Sequence, residues 1–148
     1  MNHMSHTQHR WHHFTKPATP SSVPPARLRT RKALADFGIA PGHPITDTAL
    51  LVLTELVTNC VTHAADRSPY FDVTIAMDAG SLVIAVHDRH PHRPRALPQP
   101  HPAGGGWGLK LVADLASSTG GTTQVPADPD GGGKTVRVRL PLPPSSTS

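Results

Sequence analysis

The chain carries a single cysteine in 148 residues, so no internal disulfide can brace it, and that usage fits a reducing compartment. It contains no uninterrupted apolar run of the roughly 18 to 20 residues that cross a bilayer. Its histidine-rich start lacks the apolar stretch of a signal peptide. A soluble, cytoplasmic protein without a membrane partner is the expectation. Length is short as well: 148 residues leave room for one domain with a real core, not for two. The formal charge of +4 is small and spread out. Arg27, Arg29, Arg31 and Lys32 form the only dense basic cluster, which reads as a solvated helix face and not as a nucleic-acid patch.

What is abundant is proline. The seventeen prolines concentrate in Pro17 to Pro25, Pro91 to Pro102 and Pro141 to Pro144, which should be loops or frayed ends. Residues 1–10 and 143–148 are expected to be disordered tails around a domain at 11–142. Trp11 to Thr15 suits a short edge strand. From Arg27 to Ile39, Leu28, Ala33, Leu34 and Phe37 recur at helical spacing, with Gly38 and Pro41 as the stop. A second helix is expected from an N-cap at Thr46 or Asp47 to Ala64.

Tyr70 to Met77 and Ser81 to His87 alternate as two antiparallel strands around Ala79-Gly80. Leu82, Ile84, Val86 and then Asp88 share a face, so Asp88 continues the inward row. Residues 89–105 have no periodicity and the length of a lid or binding segment. A third helix begins near Trp107 and ends before Gly120-Gly121, followed by a hairpin of Thr122 to Val125 with Thr135 to Leu140. Segregated helices and hairpins indicate an α+β fold, not a doubly wound sheet.

Glu55 and Asn59 stand one helical turn apart within the apolar segment from Ala49 to Ala64, stacked on one face. Burying an unsatisfied amide costs on the order of 2 to 7 kcal/mol. That face therefore asks for a polar occupant, and a magnesium ion with a phosphate ester is one answer. Cys60, next in the chain, reads as an inert core thiol.

Three separated elements point to one site: Glu55 with Asn59, Asp88 at a strand end, and Gly104-Gly105-Gly106-Trp107-Gly108-Leu109 at a helix start. Together they resemble the GHKL ATP-binding domain shared by histidine kinases, gyrase-type enzymes and heat-shock chaperones. More narrowly, they are similar to the bacterial stand-alone anti-sigma factor serine/threonine kinases. The resemblance spans about residues 11–142, and its most specific part is residues 55–64, Glu-Leu-Val-Thr-Asn-Cys-Val-Thr-His-Ala. It implies a two-layer α/β sandwich of the histidine kinase-like (Bergerat) type, with a mixed sheet covered on one face by helices.

The resemblance also implies roles. Asn59 corresponds to the asparagine whose oxygen binds Mg2+ at the ATP phosphates, and Glu55 to the base that takes a proton from a substrate serine. Asp88 corresponds to the aspartate that accepts from the adenine amino group. Gly104, Gly106, Gly108 and Leu109 correspond to the phosphate loop at a helix N-terminus. Lys134 and Thr135, at the start of the last strand, are secondary candidates for the base pocket; parity puts Lys134 on the inward face and Thr135 opposite. The family has a small residue two positions after the aspartate, where this chain has His90 followed by Pro91.

Rival readings of the same residues are weaker. Gly133-Lys134-Thr135 is not a Walker A motif, because Asp128 stands where that motif needs glycine and the tripeptide opens a strand, not a helix. His87, His90, His92 and His101 have spacings a metal could use, but no cysteine or paired carboxylate accompanies them. A sensor histidine kinase would need a membrane segment and a dimerisation helix with a phosphoacceptor. The implied function is an ATP- and Mg2+-dependent switch in transcription. Such a switch binds a sigma factor and phosphorylates an anti-sigma factor antagonist, with a homodimer as a further possibility. The alternative is a non-catalytic module of the same fold, impaired in ATP binding, that sequesters a protein partner.

Overall fold

The computed structural model describes residues 10–64, 66–90 and 105–142. The elements run β1 (Arg10–Pro17), α1 (Val23–Asp36), α2 (Pro44–Asn59), β2 (Tyr70–Asp78), β3 (Ser81–Asp88), α3 (Gly105–Ser118), β4 (Thr122–Gln124) and β5 (Lys134–Pro141). The strands form one five-stranded sheet in the order β1-β2-β3-β5-β4. The two-layer α+β architecture is as expected, but the sheet is antiparallel between all neighbours and not mixed. The reason is the terminal hairpin: β5 folds back between β3 and β4, so the two strands joined through α3 never pair.

Alternation makes the covered face of the sheet. Phe14, Val73, Val86 and Val136 stand side by side across four strands, and Ile75, Ile84 and Val138 form the next row. All are buried and meet Leu53, Leu56 and Val57 of α2 in one core. The next inward pair beyond Val86 and Val136 is Asp88 with Lys134. Thus the row that builds the core ends in two opposite charges. The β2–β3 turn uses Ala79 and Gly80 at φ of 52° and 82°, the left-handed pair that matches strand twist in a two-residue hairpin.

The helix starts differ from expectation. α1 begins at Val23, with Pro24 and Pro25 in its first turn and a 3-10 turn, Pro20–Ser22, before it. Those prolines open helices because their missing N–H groups have no intrahelical partner there anyway. Leu28, expected on the packing stripe, is 53% exposed; the buried stripe is Ala26, Thr30, Ala33 and Leu34. α2 begins at Pro44, and its N-cap is His43, whose Nδ1 accepts from the Ile45 N–H at 3.0 Å. Thr46 instead donates to the Ala40 carbonyl. After Asn59 the helix widens into a π turn, Cys60–Ala64.

By length and composition, the helical stretch Pro44–His63 is long and apolar enough to cross a membrane, although no single uninterrupted apolar run is. Half of it is buried inside this protein, as in a core helix. Arg10, expected in the disordered tail, is the first residue of β1; the other terminal residues, 1–9 and 143–148, lie outside the described residues.

Candidate functional site

Glu55 and Asn59 project from α2 half-buried, not fully buried as their apolar neighbours suggest. Neither side chain has a hydrogen-bond or ion-pair partner among the described residues. An i, i+4 pair of oxygen-bearing groups, partly shielded and left without protein partners, suits a hard cation and its anionic ligand. Cys60, the next residue, opens the π turn. Cys60 is 4% exposed and its thiol donates to Asp88 Oδ2 at 3.4 Å, which ties the end of α2 to the end of β3. Burial, with Asp88 adding to it, pushes the Cys60 pKa above the ordinary thiol value.

Asp88 is 4% exposed and Lys134 6%. The Lys134 ammonium donates to Asp88 Oδ1 at 2.7 Å and to Oδ2 at 2.9 Å, with a third, longer contact of 3.3 Å to the His90 carbonyl. The His90 N–H closes an Asx turn onto Asp88 Oδ1 at 2.9 Å. The carboxylate therefore holds two donors on each oxygen. The His90 imidazole leans towards Asp66, with Nε2 at 3.8 Å from Oδ1.

Parity explains the separation of the two strand-start candidates. Lys134 faces Asp88 on the covered side, whereas Thr135 pairs with His87 and belongs to the opposite face. Thr135 is therefore not brought to Asp88. Gly133 is fixed by close approach: a Cβ there would stand 2.5 Å from the Asp88 carbonyl oxygen and 3.0 Å from Arg89 Cα, besides meeting the Asp128 carboxylate. Only glycine lets the β5 start lie against the end of β3.

On the open face, His87 Nδ1 lies 3.1 Å from Asp72 and its Nε2 2.9 Å from Asp128. Arg89 carries this polar chain on to Asp128 and Asp130. Burial opposes protonation of His87, but the hydrogen bonds to Asp128 and Asp72 outweigh it and raise its pKa. Among the described residues no cluster of three His, Cys, Asp or Glu side chains could hold a metal ion. His92, His101 and Gly104 lie outside the described residues. Gly106, Gly108 and Leu109 fall in the opening turns of α3, which packs on α2.

Strand parity can place Asp72 and His87 on the open face, but sequence reasoning missed the clasp they form with Arg89, Asp128 and Asp130. It also missed the bond from Cys60 to Asp88, because a thiol in an apolar helix carries no sign of its partner. The Asp88–Lys134 pair lies between these two groups, and only the shared inward parity of its members was readable.

A family model for the histidine kinase-like ATPase domain matches residues 16–140. Among solved structures, the RsbU and RsbW domains of Rv1364c from Mycobacterium tuberculosis superpose with a TM-score of 0.64 at 22% identity, covering 89% of this chain and 32% of that one. The histidine kinase domain of the Erythrobacter litoralis EL346 blue-light activated histidine kinase gives a TM-score of 0.51 at 20% identity, covering 79% of this chain and 61% of that one. In both, this chain spans less than two thirds of the other's length. No curated protein matches the sequence at a significant level.

Proposed function

This chain belongs to the histidine kinase-like ATPase domain family, and from that membership we propose that it is an ATP-binding, anti-sigma factor-like regulator that phosphorylates a serine or threonine of an anti-sigma factor antagonist. The observation that carries the reading is the Glu55 and Asn59 pair, one turn apart on α2 with no protein partner for either side chain among the described residues. The Asn59 oxygen is a magnesium ligand, and Gly106 and Gly108 offer backbone N–H groups to phosphate oxygens. When bound, magnesium ATP supplies the phosphoryl group. Glu55 accepts the proton of the attacking hydroxyl as the bond from the γ-phosphorus to the bridging oxygen breaks and ADP leaves. Asp88 is the acceptor for the adenine amino group. Partner switching between a sigma factor and the antagonist, in the reducing cytoplasm, completes the proposal.

One observation favours the second reading, a non-catalytic module of the same fold that sequesters a protein partner. The acceptors on Asp88 are filled by the protein itself. Calorimetric titration of the purified protein with ATP and magnesium separates the two. The kinase reading expects saturable, magnesium-dependent binding that Asn59→Ala abolishes. Absence of such binding in the parent protein leaves the sequestering module as the function.

A further inference from the structure

The covered face of the sheet ends in a lysine where its pattern calls for an apolar side chain, and that lysine sits on Asp88, the carboxylate proposed to read the base. Lys134 and Asp88 are direct cross-strand partners, beyond Val136 and Val86. A buried ammonium is costly unless its hydrogens are taken up. Here they are, by Asp88 Oδ1, Asp88 Oδ2 and the His90 carbonyl. A carboxylate offers about four acceptor positions. At Asp88 these receive the Lys134 ammonium on each oxygen, the His90 N–H on Oδ1 and the Cys60 thiol on Oδ2. Nothing is left to accept a further donor.

We propose that Lys134 is an affinity- and base-determining residue of the nucleotide site: its ammonium competes with the exocyclic amino group of adenine for the oxygens of Asp88. The inference rests on the ATP-binding reading and deepens it. Of the four bonds on Asp88, the His90 N–H is held by its backbone turn and the Cys60 thiol is a weak donor, so the strong bonds that an adenine amino group has to replace are the two from Lys134. The bond to the His90 carbonyl, at 3.3 Å, is the longest of the three that Lys134 makes, so Asp88 is the main holder of the ammonium. The protein then gains little from the 6-amino group, because each hydrogen bond made to adenine replaces one made to Lys134.

The test compares ATP with purine riboside triphosphate, which lacks the 6-amino group, by calorimetry on the full chain and on Lys134→Gln and Lys134→Thr. In the parent protein the two nucleotides bind alike. In the variants ATP tightens by about tenfold to a hundredfold, the range of one hydrogen bond to a charged group, while purine riboside triphosphate does not change. A parent protein that already prefers ATP tenfold overturns the inference. So do folded variants whose ATP affinity equals the parent's, and in that case ATP binding itself stands. If parent and variants bind neither nucleotide, both the inference and the ATP reading fall. Should both substitutions prevent folding, the ratio of the two nucleotides in the parent protein still decides.

Discussion

His87 Nε2 lies 2.9 Å from Asp128 Oδ2, and Nδ1 of the same ring lies 3.1 Å from Asp72 Oδ2. One imidazole thus joins β2, β3 and the β4–β5 connection on the open face of the sheet. Burial opposes the charge on the ring, but the bonds to Asp128 and Asp72 prevail and raise the His87 pKa above 6.5. The bond from His87, with help from Arg89, lowers the Asp128 pKa below 3.8.

The signs of the two shifts define a pH window. A raised histidine pKa gives stability that is complete below the unfolded value near 6.5 and lost as pH rises through the folded value. A lowered aspartate pKa gives stability present above about 3.8 and lost as pH falls through the folded value. Thermal stability should therefore be greatest in mildly acidic solution, between those limits. His87→Gln should flatten the basic side of the profile. The loss at mildly acidic pH should be about 0.5 to 1 kcal/mol, the scale of partly exposed ion pairs. A pH series of melting curves on both proteins measures it; identical profiles would remove His87 as the cause.

Gly133→Ala should damage the end of β3 and the start of β5 together. The added methyl meets the Asp88 carbonyl at 2.5 Å and Arg89 Cα at 3.0 Å, and both are backbone positions that cannot swing aside. Overpacking of this kind costs about 1 to 3 kcal/mol. Urea unfolding reads the cost, and amide exchange at Asp88, Arg89 and Lys134 should quicken ahead of the central rows.

Cys60 should behave as an inert thiol despite standing beside the candidate site. It is 4% exposed, donates to Asp88, and its pKa is pushed up by burial. Thiolate is the reacting species. Labelling with a disulfide reagent at mildly alkaline pH should be slow in the native protein and rapid in denaturant. Rapid native labelling would contradict the buried position.

The parts of this architecture that could be read in advance are those with a local cause. Asp88 and Lys134 could both be assigned to the covered face because a period of two is enforced wherever one side of a strand is buried. Their pairing could not, since it depends on β5 inserting beside β3, a long-range register no local pattern encodes. Glu55 and Asn59 were readable as a pair because the helical repeat stacks them, but their half-exposure was not. The start of α2 differs from its local pattern for a similar reason: Thr46 is a good cap in isolation, yet Pro44 fits the first helical turn and His43 caps from before it. Spacing alone puts Leu28 inward, whereas the small Ala26 and Ala33 let α1 pack closely and leave Leu28 outside.

Glu55 and Asn59 offer the sharpest separation between stability and function. Neither side chain has a hydrogen-bond or ion-pair partner among the described residues, so removing either should cost the fold no polar interaction. Alanine also has the higher helix propensity, by up to about 0.7 kcal/mol per residue. Asn59→Ala and Glu55→Ala should therefore melt at or slightly above the parent temperature when no nucleotide is present. With magnesium ATP at about a hundred times its dissociation constant, the parent should gain about 2.7 kcal/mol by linkage, and Asn59→Ala should gain almost none. Glu55→Gln should keep that gain, because its role is to take a proton and not to hold the nucleotide. Its phosphorylation of an antagonist serine should fall by about 10²- to 10⁴-fold. A set of melting curves with and without magnesium ATP, beside a phosphotransfer assay, decides it. Destabilisation of nucleotide-free Asn59→Ala by more than about 1 kcal/mol, the usual effect of a structural substitution, would show a structural amide where a ligand is proposed.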